Sequence, residues 1–189
     1  MPATAPMPVL PEITVSLSEL VPPRCRHYFN TRSGRPHYRT RRYDFGSSTQ
    51  YMPLVRAFLN TCAAEQDADF RYLFTLLGSE LANNALNHSR SGERFGVYTL
   101  RCVRHRDGLH LTCRDQGANH PAVRGKTDDH HLRAAPDGLD PDAESGRGLA
   151  LVDALATDWG DNGLTDHRQV WFFLAYDLTG TGNPWTSAS

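Results

Sequence analysis

Three short segments of this chain hold residue types that can do chemistry together. In Ser79-Glu80-Leu81-Ala82-Asn83-Asn84-Ala85-Leu86-Asn87-His88, the residues Glu80 and Asn84 are spaced to share one face of a helix, at the border of its apolar stripe. A carboxylate and an amide at that border are costly to bury without partners. A polar cavity holding a metal ion and phosphates would supply them, because magnesium takes oxygen ligands and an amide oxygen can serve beside phosphate and water. In Arg114-Asp115-Gln116-Gly117 an ionised carboxylate, which only accepts hydrogen bonds, stands at a strand end. It suits the exocyclic amino group of adenine, and the glycine after it lets the backbone turn close to a ligand. In Ser145-Gly146-Arg147-Gly148-Leu149 a glycine loop feeds a helix. The free N–H groups and dipole of a helix start attract phosphate, and Arg147 adds a charged contact. Taken singly, each segment also spells something ordinary: an exposed helix edge, a plain turn, a capped helix. Their order and spacing carry the argument.

The surrounding sequence supplies the elements that must position them. Leu54, Val55, Phe58, Leu59 and Cys62 recur at helical spacing after Ser47-Ser48, which offer an N-cap. Asp67 or Asp69 can cap a second helix whose stripe is Phe70, Leu73, Phe74, Leu77, Leu81 and Ala85, and which Ser91-Gly92 breaks. Residues 96–104 and 109–115 alternate around Arg106-Asp107-Gly108, which predicts a hairpin with Leu100 facing Cys113 and Cys102 facing Leu111 on the core side. Residues 118–145 carry Pro121, Pro136 and Pro141, many Asp and His, and few large apolar side chains, the composition of a lid. A third helix follows, packed through Leu149, Leu151, Val152 and Leu155. The run Val170-Trp171-Phe172-Phe173-Leu174 reads as a fully buried strand.

Bulk properties limit the function classes. The 189 residues suffice for one domain, with 39% apolar and 22% charged residues. Lys plus Arg is 20 and Asp plus Glu is 21, a net charge of −1 that gives no argument for membrane or direct nucleic-acid binding. No apolar run is long enough to span a bilayer, and the N-terminus lacks the pattern of a secretory signal, so a cytoplasmic location is expected. Cys25, Cys62, Cys102 and Cys113 have neither zinc nor disulfide-framework spacing and are read as reduced thiols. Residues 1–36, with Pro2, Pro6, Pro8, Pro11, Pro22 and Pro23, form a proline- and arginine-rich arm. Its basic run, continuing to Arg41 and Arg42, is read as a solvated face beside an edge strand. His120, His130 and His131 match no strong metal motif and are read as solvated lid residues. The division is then 1–36 arm, 37–177 domain with a lid at about 118–145, and 178–189 flexible tail.

A helical Glu-x-x-x-Asn, a hairpin ending in Asp-x-Gly, a lid, and Gly-x-Gly entering a helix together resemble the GHKL ATP-binding superfamily, which includes gyrase-type topoisomerases and histidine kinases. The segments 79–88 and 145–156, with Trp159-Gly160 and Val170-Trp171-Phe172, are most similar to the bacterial anti-sigma regulatory factor and serine-protein kinase branch. The resemblance implies a Bergerat-type α/β two-layer sandwich. Its sheet would be mixed and mostly antiparallel, with about three helices on one face and a mobile ATP lid. ATP and Mg2+ would be the cofactors. Glu80 would be the catalytic base, Asn84 would hold magnesium, and Asp115 would bind the adenine amino group in a pocket shaped by Gly117. Gly146, Arg147, Gly148 and Leu149 would bind the phosphates. The implied activity is serine/threonine protein kinase action on an anti-anti-sigma partner, joined to binding of a sigma factor, with a homodimer expected. The alternative is an ATP-binding switch module without turnover. A sensor histidine kinase is disfavoured, because residues 1–36 are too short and proline-rich for paired dimerisation helices. The chain departs from the family pattern at Asn119, where a second glycine is common, and at His167-Arg168-Gln169, where Gly and Lys or Thr are common.

Overall fold

The structure is a computed structural model that describes residues 21–29, 38–118, 131–136, 138–140 and 146–180. Strand β1 (Thr40–Gly46) leads through a short 3-10 turn into α1 (Met52–Cys62). Ser48 caps that turn by accepting from the Gln50 N–H at 3.2 Å. The long helix α2 (Ala68–His88) starts at Asp67, whose Oδ1 accepts from the Phe70 N–H at 2.8 Å. This settles the choice between Asp67 and Asp69 as cap, because only a residue just outside the first turn can reach back to an orphan N–H. The hairpin β2 (Val97–Arg104) and β3 (Gly108–Arg114) follows, then α3 (Arg147–Leu155), β4 (Asp158–Asp161) and β5 (Gln169–Ala175).

The strands form one sheet in the order β1-β2-β3-β5-β4. Every pairing in it is antiparallel, so the sandwich holds while the parallel component expected of a mixed sheet is absent from the described residues. Leu100 pairs with Cys113 and Cys102 with Leu111, the register that the alternation predicts. One face of the sheet carries Phe45, Leu100, Leu111, Phe172 and Leu174, all 2% exposed or less, and α2 lies across it with Phe74, Leu77 and Leu81 equally buried. Phe74 meets Phe172 edge-on with ring centroids 5.5 Å apart. Helices α1 and α3 flank α2 on the same side.

Two expectations change. Strand β5 is not buried on both faces: Val170, Phe172 and Leu174 point inward, while Trp171 and Phe173 are only half-buried on the outer face. There Trp171 stacks on His110 at 5.1 Å. An apolar run cannot by itself distinguish full burial from an aromatic outer face. The basic run is not simply solvated either. Arg41 is 2% exposed, donates from Nη1 to the Thr61 carbonyl at 3.0 Å, and lies over the Tyr38 ring at 4.1 Å. Arg104 covers the same ring at 4.6 Å and pairs with Glu65 at 2.6 Å. Residues Val21–Phe29 pack on α1, with Val21 in the core and Phe29 against Tyr43. The interior of the expected lid, residues 119–130, 137 and 141–145, and with it His120 and His130, lies outside the described residues.

Helix α2 approaches α1 through Gly78. A Cβ built there would stand 2.7 and 2.8 Å from the Leu59 methyls and 3.0 Å from a Leu111 methyl. Alanine gains about 1 kcal/mol of helix propensity over glycine, but overpacking a dense core costs about 1–3 kcal/mol. Gly78→Ala is therefore expected to lower stability by about 1 kcal/mol net, read as a reduced urea midpoint at unchanged slope.

Candidate functional site

A cleft of about 310 Å³ opens between α2 and the inner ends of β3 and β5. Leu81, Asn84, Ala85 and His88 form the helix wall, and Cys113, Asp115 and Val170 the sheet wall. Gly146 and Leu149 at the start of α3 close one end, with Leu132, Arg133 and Ala135 from the segment before it. Asn84, Asp115, Gly146 and Leu149, drawn from three segments far apart in the chain, thus line one cavity.

The remaining residues of the three segments stand around it. Gly148 lies where α3 comes nearest to α2. A Cβ there would be 2.7 Å from Glu80 Oε2 and 3.5 Å from Asn84 Oδ1. Any larger side chain would push the Glu80 carboxylate from its place. Glu80 itself opens on a neighbouring groove of about 440 Å³ between α1 and α2, beside Arg56 and Asn83. Burial raises the Glu80 carboxyl above the usual range, and Arg56 partly opposes this. Arg147 is exposed at the first turn of α3, where its Nη2 reaches the Asp140 carbonyl at 3.3 Å. Gly146 caps α3 with φ 84, a left-handed conformation that favours glycine.

Asp115 continues the inward alternation of β3. Its Oδ1 accepts from the Gly117 N–H at 2.7 Å, and the residue lines the cleft. Burial raises its carboxyl, against the pull of the Gly117 N–H, Arg168 and His167. Gly117 shapes the turn from behind: it has φ 78, and a Cβ would collide with the Thr165 carbonyl at 2.2 Å.

Several positioning residues escape the sequence motifs. Ser91 is wholly buried, donates to the Val97 carbonyl at 2.7 Å and accepts from the Gln116 N–H at 2.9 Å. Arg90 donates through Nε and Nη2 to the Gln116 carbonyl at 3.0 and 2.6 Å, and its N–H reaches the Gly117 carbonyl at 2.9 Å. The end of α2 thereby fastens the turn that carries Asp115. The only signal in the sequence was Ser91 itself, which marked the helix end without showing its long-range partner. At the other end of the cleft, Asp161 accepts from the Leu132 N–H at 2.5 Å and pairs with His131 at 2.6 Å. Burial pushes its carboxyl up, but the Leu132, Gly163 and His131 contacts outweigh this and hold it below the usual range. His131 thus sits on a carboxylate and not simply in solvent. Among the described residues no three His, Cys, Asp or Glu side chains gather to hold a metal ion by themselves.

A purine-sized cleft flanked by a helix start, a half-buried carboxylate and an amide oxygen is a nucleotide site in outline. Residues 45–165 match the family described as the histidine kinase-like ATPase domain. The chain belongs to that family. No curated protein matches the chain at a significant level. The match places this histidine kinase-like ATPase domain in the GHKL superfamily and makes it an ATP-binding domain. It spans Glu80, Asn84, Asp115 and the Gly146–Gly148 turn, and ends before β5. No helix among the described residues is long and apolar enough to cross a membrane.

Ser91→Ala leaves the part-buried Gln116 N–H and Val97 carbonyl without their partner, which costs about 1 kcal/mol. The expected outcome is a loss of that size in chemical denaturation, with faster hydrogen exchange at the Gln116 amide than in the wild type.

Proposed function

We propose that this ATP-binding domain is an anti-sigma-factor-like regulator that phosphorylates serine or threonine on an anti-anti-sigma partner and binds a sigma factor in its other state. The observation that supports the reading best is the position of Glu80. Its carboxylate stands beside Gly148 at the phosphate end of the cleft, and it also faces the open groove between α1 and α2. A base used only for internal hydrolysis has no need of that second opening, whereas a hydroxyl arriving on another protein does. The similarity of residues 79–88 and 145–156 to the anti-sigma kinase branch points the same way.

In this reading Asp115 Oδ2 accepts from the adenine amino group, and the first N–H groups of α3 with Arg147 hold the phosphates. Asn84 supplies a neutral side-chain oxygen at the junction of cleft and phosphate turn, which fits a magnesium ion that completes its shell with phosphate and water oxygens. Bound there, magnesium would neutralise phosphate charge. The acceptor hydroxyl forms a bond to the γ-phosphorus as its proton passes to the Glu80 carboxylate, and the β–γ bridging bond breaks to leave ADP. The raised Glu80 pKa suits this role, because a stronger base at neutral pH takes the proton more readily.

Incubation with labelled ATP and a candidate anti-anti-sigma protein is expected to give acid-stable phosphate on serine or threonine. Glu80→Gln should lower the transfer rate by about 10²-fold or more, as loss of a general base does, while nucleotide affinity stays within about twofold. Bound ATP without transfer would leave a binding switch without turnover, and transfer indifferent to Glu80→Gln would remove Glu80 as the base. The pH dependence of binding tests the base pocket. Since Asp115 Oδ1 already accepts from Gly117, protonation falls on Oδ2 and converts an acceptor into a donor. Its pKa is raised, so ATP affinity should begin to fall on acidification at a pH above the usual aspartate range. Asp115→Asn should bind weakly, and titration calorimetry should show that fall missing.

A further inference from the structure

The nucleotide cleft holds a cation that none of the three motifs contains. The inward-facing pairs of β3 and β5 run Leu109 with Leu174, Leu111 with Phe172 and Cys113 with Val170. The Asp115 N–H donates to the Arg168 carbonyl at 3.0 Å, which carries the ladder on to Asp115 opposite Arg168. Alternation then puts both side chains on the inner face, and both line the cleft. Directly opposed residues have Cβ atoms about 4.5–5.5 Å apart, so an acceptor and a forked donor stand side by side over the apolar floor of Cys113 and Val170.

Neither group is consumed by the other. Asp115 Oδ1 is held by the Gly117 N–H, the Arg168 backbone N–H also bears on the carboxyl, and Arg168 Nε donates to the Leu164 carbonyl at 3.4 Å. Among the described residues the terminal nitrogens of Arg168 make no further hydrogen bond, and no ion pair closes between Arg168 and Asp115. The pair therefore presents one acceptor and one donor to whatever enters. Adenine displays the complementary pattern: its amino group donates, and the ring nitrogens on either side of it, N1 and N7, both accept. A base with an oxygen in place of the amino group would set acceptor against acceptor at Asp115.

We propose that Arg168 is a specificity-determining residue that donates to a ring nitrogen beside the adenine amino group while Asp115 accepts from that amino group. The inference rests on the nucleotide reading of this cleft and adds a second reading point from β5. A site built to hydrogen-bond a substrate atom discriminates against the analogue lacking it, because its own polar group is left unpaired in a desolvated pocket.

Calorimetric titration of the full chain with ATP, 1-deaza-ATP and 7-deaza-ATP, each with magnesium, tests this. One of the two analogues should bind the wild type about tenfold or more weakly than ATP, the loss of one charge-assisted hydrogen bond. Arg168→Ala should weaken ATP by a similar factor and erase the difference between ATP and that analogue, since the two changes remove the same bond. Arg168→Lys, which keeps a donor, should recover part of the difference. Equal wild-type affinity for all three nucleotides would overturn the proposal without any variant. So would an Arg168→Ala loss that is the same for all three, the mark of a phosphate contact or a structural role. Wild-type protein that binds no ATP would bring down the nucleotide reading and this inference together. ATP binding that is sensitive to Asp115→Asn but indifferent to Arg168→Ala would bring down this inference alone.

Discussion

Every distance in the candidate site is set by the burial of one helix on one sheet face. The stripe of α2 from Phe70 through Leu81 has no exposure worth noting, and neither do the residues of β2, β3 and β5 beneath it. Each such side chain contributes about 1.5–3 kcal/mol when fully buried, so the helix cannot slide or rotate without exposing several at once. Because α2 is fixed, the edge residues Glu80 and Asn84 are fixed too. Gly78 brings α2 against Leu59 of α1 and Leu111 of β3, and Gly148 brings α3 against Glu80 of α2. The site is polar chemistry held on an apolar clamp.

The electrostatics follow from the same burial. Glu80 and Asp115 both sit at the margin of the core, and removal from water raises both carboxyl groups before any neighbour acts. What differs is the company. Glu80 has Arg56 across an open groove, whereas Asp115 has the Gly117 and Arg168 backbone N–H groups, the Arg168 charge and His167. Asp161 shows the opposite balance: two backbone N–H groups and an imidazole overcome its burial, and the carboxylate becomes an anchor for Leu132 at the cleft rim. Burial thus dominates at Glu80 and Asp115, while hydrogen bonds dominate at Asp161.

The motifs were legible because they are local. The spacing of Glu80 and Asn84 is a property of any helix, and the hairpin register from Leu100 to Leu111 follows from alternation and a short turn. Strand β4 was not read as a strand. Its Asp158-Trp159-Gly160-Asp161 has little strand propensity and is held by pairing with β5 and by the bond from Trp159 Nε1 to Asp153. The aromatic outer face at Trp171 and the buried Arg41 were missed for a similar reason. Whether a face is covered depends on what the rest of the chain brings to it. The burial of Arg41 requires Tyr38 and the Thr61 carbonyl, which come from opposite sides of the β1–α1 connection.

By itself the sequence determined which residues could do chemistry, on which kinds of element they lie, and which superfamily they resemble, because helix and strand periodicities and the left-handed demands of Gly117 and Gly146 act over a few residues. Only the tertiary structure decided that Asn84, Asp115, Gly146 and Leu149 share one cleft, that Glu80 faces a second groove, that Ser91 and Arg90 fasten the Asp115 turn, and that Arg168 stands opposite Asp115. Those relations depend on strand order and on how α2 crosses the sheet. Non-local burial and pairing set both, and no window of sequence contains them.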